Sequence, residues 1–172
     1  MAATVRESDL TLAEARSVAE RVTDPELPML TLADLGVLRA VEFDDSGALI
    51  VSITPTYSGC PAMAAMRDDL VRELRSAGFE RVEVRVQLRP PWTTDWISAR
   101  GRDALSRHGI SPPGRAPAGP VALSLGPTRR AVTCPLCGST DTEVASEFGS
   151  TACKALYRCR SCLEPFDHVK EI

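Results

Sequence analysis

The chain has 172 residues, of which 44% are hydrophobic and 25% are charged, and its formal net charge is −3. This length and composition are typical of a globular protein with one moderate domain and a small second one. The net negative charge does not favour binding to nucleic acid. No apolar run approaches the ~20 residues of a membrane span. No secretory signal is present either, so we expect a cytoplasmic protein without nucleic-acid or membrane partners.

The first elements are a helix and a hairpin. Thr11 and Glu14 form a capping box that begins the helix, and residues 24–28, which contain two prolines, end it. Residues 37–43 and 48–54 read as two strands around a turn rich in Asp, Ser and Gly. The alternating side chains of the second strand predict that it is buried on one face only.

A second helix, a third strand and a short helix follow. The apolar stripe over residues 61–77 predicts the long helix, and strict alternation over 82–88 predicts the strand. Residues 98–108 predict the short helix. We therefore expect a compact α+β domain of order helix-strand-strand-helix-strand over 1–110, and a Pro/Gly-rich linker over 111–131.

Two Cys-x-x-Cys pairs mark the end of the chain, Cys134 with Cys137 and Cys159 with Cys162. Two intervening residues let one tight turn aim both sulfurs at the same point, so two turns complete a tetrahedron around zinc. We predict a structural zinc ribbon over residues 132–172, with zinc as its cofactor. Two disulfides, or thiols without a ligand, are the alternatives. A closed four-thiolate site has no open position for chemistry.

A second candidate site lies in the first domain. Cys60 precedes a proline-initiated helix, whose dipole favours a thiolate, and it is a candidate metal ligand or attacking thiol. The alternative is a small buried hydrophobic residue. Asp24 and Glu26 flank Pro25, with Pro28 after them, and they are either solvated acids at a helix end or hard ligands on a stiff loop.

The remaining side chains of interest have simpler interpretations. Cys153 is a spare thiol or a substitute for one of the four ligands, while His108 and His168 read as a helix-end residue and a surface residue. Trp92 and Trp96 are expected to pack, with a contact surface as the alternative. From residue 128 onward, basic and acidic residues balance, so the ribbon favours a protein partner over nucleic acid.

Short motifs along the chain carry a resemblance to two known families. They are Asp24-Pro25-Glu26-Leu27-Pro28, Asp34-Leu35-Gly36, Thr54-Pro55-Thr56, Gly59-Cys60-Pro61, Trp92-Thr93-Thr94-Asp95-Trp96-Ile97-Ser98, Gly109-Ile110-Ser111-Pro112-Pro113, Phe148-Gly149-Ser150-Thr151-Ala152-Cys153-Lys154 and the cysteine pairs. The first four resemble the SufT-like iron–sulfur assembly domain, over about residues 12–88. The whole set resembles the D subunits of bacterial phenylacetyl-CoA ring-1,2-epoxidase systems, over essentially the whole chain.

The resemblance implies a function and a site. Such systems activate the aromatic ring of phenylacetyl-CoA during aerobic phenylacetate breakdown, with a di-iron oxygenase and a flavin and iron–sulfur reductase on other subunits. The D subunit is implied to help assemble or insert a metal centre, without performing the epoxidation. The family's cysteine falls on Cys60 and its acidic turn on Asp24 and Glu26. The resemblance thus implies transient iron or an iron–sulfur cluster as cargo, and oxygenase or reductase subunits as partners.

Two other functions remain open from the sequence. One is a purely structural subunit that bridges the oxygenase and the reductase. The other is an independent thiol enzyme, which ranks last because two pairs at ribbon spacing indicate closed metal coordination. No Gly-rich phosphate loop or Ser-His-Asp pattern is present in the sequence.

Overall fold

The computed structural model describes residues 11–57, 59–114 and 132–172. They form two compact units, of which the first ends at Trp92 and the second begins at Thr93. None of the helices in the described ranges is long and apolar enough to cross a membrane. The elements are α1 (Leu12–Ala19), β1 (Leu38–Phe43), β2 (Leu49–Ile53), α2 (Met63–Ser76), β3 (Val82–Val86), a 3₁₀ turn (Thr94–Trp96), α3 (Ala99–Arg107), β4 (Ile110–Ser111), β5 (Thr142–Ser146), β6 (Lys154–Cys159) and β7 (Pro165–Val169). The mixed helix and strand content confirms the predicted α+β class.

The first unit is built on a three-stranded sheet in the order β1-β2-β3. β1 and β2 form the predicted antiparallel hairpin, and β3 pairs with β2 in parallel. The prediction of a half-buried β2 is wrong, because every residue of this central strand is buried. Ile50 is only 1% exposed, and Ser52 accepts a hydrogen bond from the Gln87 side chain at 3.2 Å. Side chains therefore cover β2 on both faces.

The helices of the first unit pack against each other and against the sheet. The capping box of α1 is confirmed: the Thr11 hydroxyl accepts from the Glu14 N–H at 3.2 Å, and Glu14 accepts from the Thr11 N–H at 2.7 Å. The buried stripe of α2 is also confirmed, and it consists of Met66, Leu70 and Leu74. α2 itself begins at Met63, two residues later than the predicted start.

The exposed end of β3 differs from the prediction. Val86 and Leu88 are 43% and 57% exposed, although the alternation predicted that both would be buried. The register explains the difference, since Val86 pairs with Ile53, the last residue of β2. Beyond this point β2 offers no further strand residues to pack against, so β3 ends two residues before the predicted limit.

The second unit contains a four-stranded sheet in the order β4-β7-β6-β5. β5, β6 and β7 are antiparallel neighbours, and the short β4 pairs with β7 in parallel. The helix predicted over 98–108 is confirmed as α3, whose N-cap Ser98 accepts from the Gly101 N–H at 2.9 Å. Thus residues 93–114 belong with the ribbon in one compact unit, whereas the sequence placed the domain boundary at residue 110.

One small core cluster of the second unit surrounds two of its cysteines. Its buried members are Val132, Cys134, Ala155, Tyr157, Cys159 and Phe166. The rings of Tyr157 and Phe166 stack with centroids 5.9 Å apart. Most of the predicted linker, residues 115–131, lies outside the described residues, so its bounds stay a prediction.

Truncation of the helix stripe tests the packing of the first unit. Leu70 is fully buried, so Leu70→Ala should lower the free energy of unfolding by about 2–5 kcal/mol, because it leaves a cavity. Val86→Ala is the matched control on the exposed strand end, with an expected change within about 0.5 kcal/mol. Urea denaturation measures both, and equal losses would contradict the packing described here.

Candidate metal centre

Two tight turns bring four thiols together in the second unit. The sulfurs of Cys134, Cys137, Cys159 and Cys162 all lie within 4.8 Å of one another. Sγ of Cys134 lies 3.8 Å from that of Cys162, and Sγ of Cys137 lies 3.5 Å from that of Cys159. A disulfide would need about 2.05 Å, and all four cysteines are free. The disulfide alternative is therefore wrong.

These distances fit a tetrahedral zinc ion. With zinc–sulfur bonds of about 2.3 Å, the sulfurs at the corners of a regular tetrahedron are about 3.8 Å apart. The two measured pairs lie close to this length. Four soft thiolate donors without carboxylate or water are also the donor set of structural zinc sites. The cluster thus fits zinc, which when bound would cross-link the two turns.

The four thiols lie close enough to shift one another's pKa. The Cys162 N–H donates to the Cys159 sulfur at 3.5 Å, and together with the Ser161 N–H it lowers the pKa of Cys159 to about 6. The Ser139 N–H favours the Cys137 thiolate, but the adjacent Cys159 thiol and burial raise the pKa of Cys137 to about 12. Adjacent thiols without a metal therefore resist joint ionisation, which a divalent cation would permit.

Each turn places one residue in the left-handed region directly after its second cysteine. Gly138 has φ +76° and Leu163 has φ +66°. The following N–H, of Ser139 or Glu164, then donates to the cysteine sulfur. Sequence reasoning missed both residues. Glycine after a Cys-x-x-Cys pair is a usable signal for the first, whereas leucine gives none for the second.

Cys60 lies in the loop between β2 and α2 and is half-buried. Its N–H donates to the Tyr57 carbonyl at 3.2 Å, and its carbonyl accepts from the Met63 N–H at 3.3 Å. Because α2 begins at Met63 with Ala62 as its N-cap, Cys60 lies ahead of the first helical turn. The prediction that it directly precedes the helix is corrected accordingly.

The acidic turn places its two carboxylates differently. Asp24 is buried at 5% exposure, and its Oδ1 accepts from the N–H groups of Glu26 and Leu27, both at 2.8 Å. Glu26 is exposed. Asp24 therefore holds the turn in shape, and Glu26 presents its side chain to solvent.

Backbone hydrogen bonds connect this turn to the strand that leads to Cys60. The Leu32 N–H donates to the Val22 carbonyl at 2.8 Å, and the Val37 N–H donates to the Leu32 carbonyl at 2.9 Å. The Thr54 N–H then donates to the Val37 carbonyl at 2.8 Å. These bonds link the residues on either side of the acidic turn to the end of β2, from which the Cys60 loop continues.

The structure does not assemble Cys60, Asp24 and Glu26 into a ready metal site. Among the described residues, only the four-cysteine cluster brings three or more Cys, His, Asp or Glu side chains close enough together to hold a metal ion. Cys153 is not part of that cluster, and its sulfur instead lies 3.0 Å from the Thr151 hydroxyl.

The histidine and tryptophan predictions have mixed outcomes. His108 is confirmed at a helix end, with its Nδ1 2.8 Å from the Ala104 carbonyl. The prediction that His168 lies at the surface is wrong, because it is 4% exposed and meets the Tyr157 ring edge-on. Trp92 packs as expected and donates to the Leu35 carbonyl at 2.8 Å.

Comparison with known proteins identifies relatives of both units. Residues 118–170 match the family model described as the PaaD zinc beta ribbon domain, and residues 13–86 match the model described as an iron-sulfur cluster assembly protein. The putative D subunit of the 1,2-phenylacetyl-CoA epoxidase of Escherichia coli is 45% identical over 157 residues, which cover 91% of each chain.

Shorter relatives match the first unit. The Fe-S protein maturation auxiliary factor SufT of Staphylococcus aureus is 34% identical over 85 residues, covering 49% of this chain and 96% of that protein. The factor YitW of Bacillus subtilis, which carries the same description, is 32% identical over 87 residues and covers 50% and 84%. A crystal structure of a domain of unknown function from Bacillus anthracis has a TM-score of 0.49 at 27% identity and covers 54% and 89%.

Removal of one thiol tests the metal centre. Cys159→Ala should abolish zinc binding and unfold the ribbon, since its small core depends on metal binding worth on the order of 10 kcal/mol. Cys153→Ala is the matched control and should keep about one zinc per chain. Elemental analysis and circular dichroism measure the outcome, and retention of zinc by Cys159→Ala would exclude the site.

Proposed function

This chain belongs to the family of 1,2-phenylacetyl-CoA epoxidase D subunits, and from that premise we propose that it is an assembly factor for the epoxidase system. In aerobic phenylacetate degradation it assists the assembly or insertion of a metal centre, iron–sulfur or di-iron, in another subunit. It does not itself perform the epoxidation. Metal-centre assembly takes place in the cytoplasm, where the thiols of this protein stay reduced.

One observation carries the proposal. The unit that matches the iron–sulfur assembly family holds a single cysteine, Cys60, while the four clustered thiols all belong to the other unit. A transfer site must release its cargo, and one thiolate with few additional ligands suits release. A closed four-thiolate site suits permanent retention instead.

The transfer step is a ligand exchange at iron. The Cys60 thiolate holds an iron ion, or one iron of a cluster, as cargo. A cysteine thiol of the client loses its proton and forms a bond to the same iron, while the bond to the Cys60 sulfur breaks and that sulfur takes up a proton. The oxidation state of the iron does not change, so the step needs no external reductant or oxidant.

The acidic turn supplements the thiolate. Glu26 is exposed in the acidic turn, whose flanking residues are bonded through the backbone to the end of β2, and its carboxylate supplies a weak oxygen ligand during loading. Asp24 positions Glu26 by accepting its N–H at 2.8 Å. The zinc ribbon takes no part in transfer and instead contacts the client.

A cysteine substitution tests the proposal directly. Cys60→Ala should keep the fold and about one zinc per chain, but client subunits matured with this variant should lack most of their metal. The loss follows because no other thiol in the first unit can replace it. Client proteins purified anaerobically after co-production, with iron and sulfide analysis, provide the measurement.

Cys153→Ala is the control for this experiment, because it removes a thiol from the ribbon and leaves Cys60 in place. Fully metallated client from the Cys60→Ala strain would refute transfer through this residue. If that variant also co-purified in fixed stoichiometry with oxygenase and reductase, the result would favour a bridging subunit. The Escherichia coli relative is itself described as an epoxidase subunit.

The two carboxylates should respond differently to removal. Asp24→Ala deprives two backbone N–H groups of their acceptor and should lower the free energy of unfolding by about 1–3 kcal/mol. Glu26→Gln should leave stability within about 0.5 kcal/mol but slow client metallation several-fold. Thermal unfolding and the initial rate of metallation distinguish them, and unchanged metallation with Glu26→Gln would remove this residue from the site.

A further inference from the structure

The four-thiol cluster of the ribbon has a buried side and an exposed side. Cys134 and Cys159 are 1% and 0% exposed and belong to the small core cluster of the second unit. Cys162 is half-buried and packs against the same cluster, whereas Cys137 is exposed. Apolar packing therefore holds the Cys137 thiol less than the other three, and solvent reaches the cluster from its side.

A hydrogen bond between two serines joins the cysteine turns. Oγ of Ser139 lies 2.8 Å from Oγ of Ser161, and we call this contact the serine bridge. Ser139 comes two residues after Cys137 in the first turn, and Ser161 directly precedes Cys162 in the second. The serine bridge thus links the turns through polar side chains, next to the two thiols that the core holds least.

Backbone hydrogen bonds place the two serines within reach of each other. The Ser139 carbonyl accepts from the Cys134 N–H at 2.9 Å, which closes the first turn. The Asp141 N–H donates to the Ser139 hydroxyl at 3.1 Å, and the Asp141 carbonyl accepts from the Arg160 N–H at 2.9 Å. Because Asp141 contacts both turns, it fixes the position of one relative to the other.

The same two serines also face the cluster through their backbones. The Ser139 N–H donates to the Cys137 sulfur, and the Ser161 N–H donates to the Cys159 sulfur. These two sulfurs lie 3.5 Å apart. If the serines separated, each N–H would move relative to the sulfur that it stabilises, so the serine bridge supports the closed arrangement of the ligands.

We propose that the serine bridge slows the release of metal from the ribbon, with Ser139 and Ser161 as positioning residues. Release begins when the bond between the metal and the exposed Cys137 sulfur breaks. A donor atom of a chelator takes the vacated position, the freed thiolate takes up a proton, and no electron is transferred. The first turn has to move away from the second for this exchange, and the serine bridge opposes that movement.

Slow release has a consequence for a chain that handles iron as cargo, because the resident zinc stays in place while iron passes through another thiol. This consequence rests on the proposed function, whereas the serine bridge itself does not. The expected size of the effect is that of one hydrogen bond, which corresponds to about a threefold to tenfold change in rate.

The test measures zinc release from the full-length, zinc-loaded protein into excess 4-(2-pyridylazo)resorcinol, whose zinc complex is followed by its colour. Ser139→Ala and Ser161→Ala should each release zinc about threefold to tenfold faster than wild type, while all variants are purified with about one zinc per chain. The double variant should be no faster than the faster single one, because both substitutions remove the same hydrogen bond.

Two further variants serve as controls. Ser161→Thr keeps a hydroxyl at an exposed position and should release zinc at the wild-type rate. Ser150→Ala removes an exposed serine from the loop between β5 and β6 and should also behave as wild type does.

Four results would overturn the inference. They are unchanged release by Ser139→Ala and Ser161→Ala, multiplied effects in the double variant, equal acceleration by Ser150→Ala, and failure of Ser161→Thr to keep the slow rate. The proposed function is tested separately, because Cys60→Ala should release zinc at the wild-type rate and fail only in metallation. Faster release by Ser161→Ala together with normal metallation by Cys60→Ala would uphold the serine bridge and reject transfer through Cys60.

Discussion

The convergence of four sulfurs on one point is the constraint on which the second unit depends. β6 ends at Cys159, and the turn after it returns Cys162 to within 4.8 Å of the other three thiols. The apolar core around them is small and includes two of the cysteines themselves. Hydrophobic burial in this cluster is small, and zinc bound by the four thiolates would add folding free energy to it.

The same constraint separates two kinds of thiol chemistry. Once four thiolates are committed to a closed site, they can neither exchange ligands readily nor attack a substrate. Cys60 belongs to a different unit, on a loop held by the end of a fully buried strand. A rigid sheet can thus fix the position of the loop that carries Cys60, the residue to which we assign the transfer of iron.

The features that the sequence predicted well are local ones. A capping box needs only Thr11 and Glu14, three residues apart, and each cysteine pair needs only one turn. The features it missed depend on distant partners. Ser52 of the buried β2 accepts a hydrogen bond from Gln87, and the buried His168 packs edge-on against Tyr157. The left-handed conformation of Leu163 accompanies a hydrogen bond from the Glu164 N–H to the Cys162 sulfur, and no propensity of leucine indicates it.

The relation between the acidic turn and Cys60 shows the same limit. The motifs predicted that both sites matter but not how they are connected. Backbone hydrogen bonds through Val22, Leu32, Val37 and Thr54 link the segment around the acidic turn to the end of β2. The two acids also differ in the structure. The buried Asp24 carboxylate accepts a hydrogen bond that holds the turn, whereas the Glu26 side chain is exposed.

Zinc-edge X-ray absorption on the full-length protein, purified anaerobically and then exposed to ferrous iron, tests the central claim most directly. The account predicts a first shell of four sulfurs at about 2.3 Å, unchanged by the iron, because the cluster is permanent and the exchanging thiol lies elsewhere. A shell containing nitrogen or oxygen, or loss of zinc sulfur ligands to iron, would contradict it.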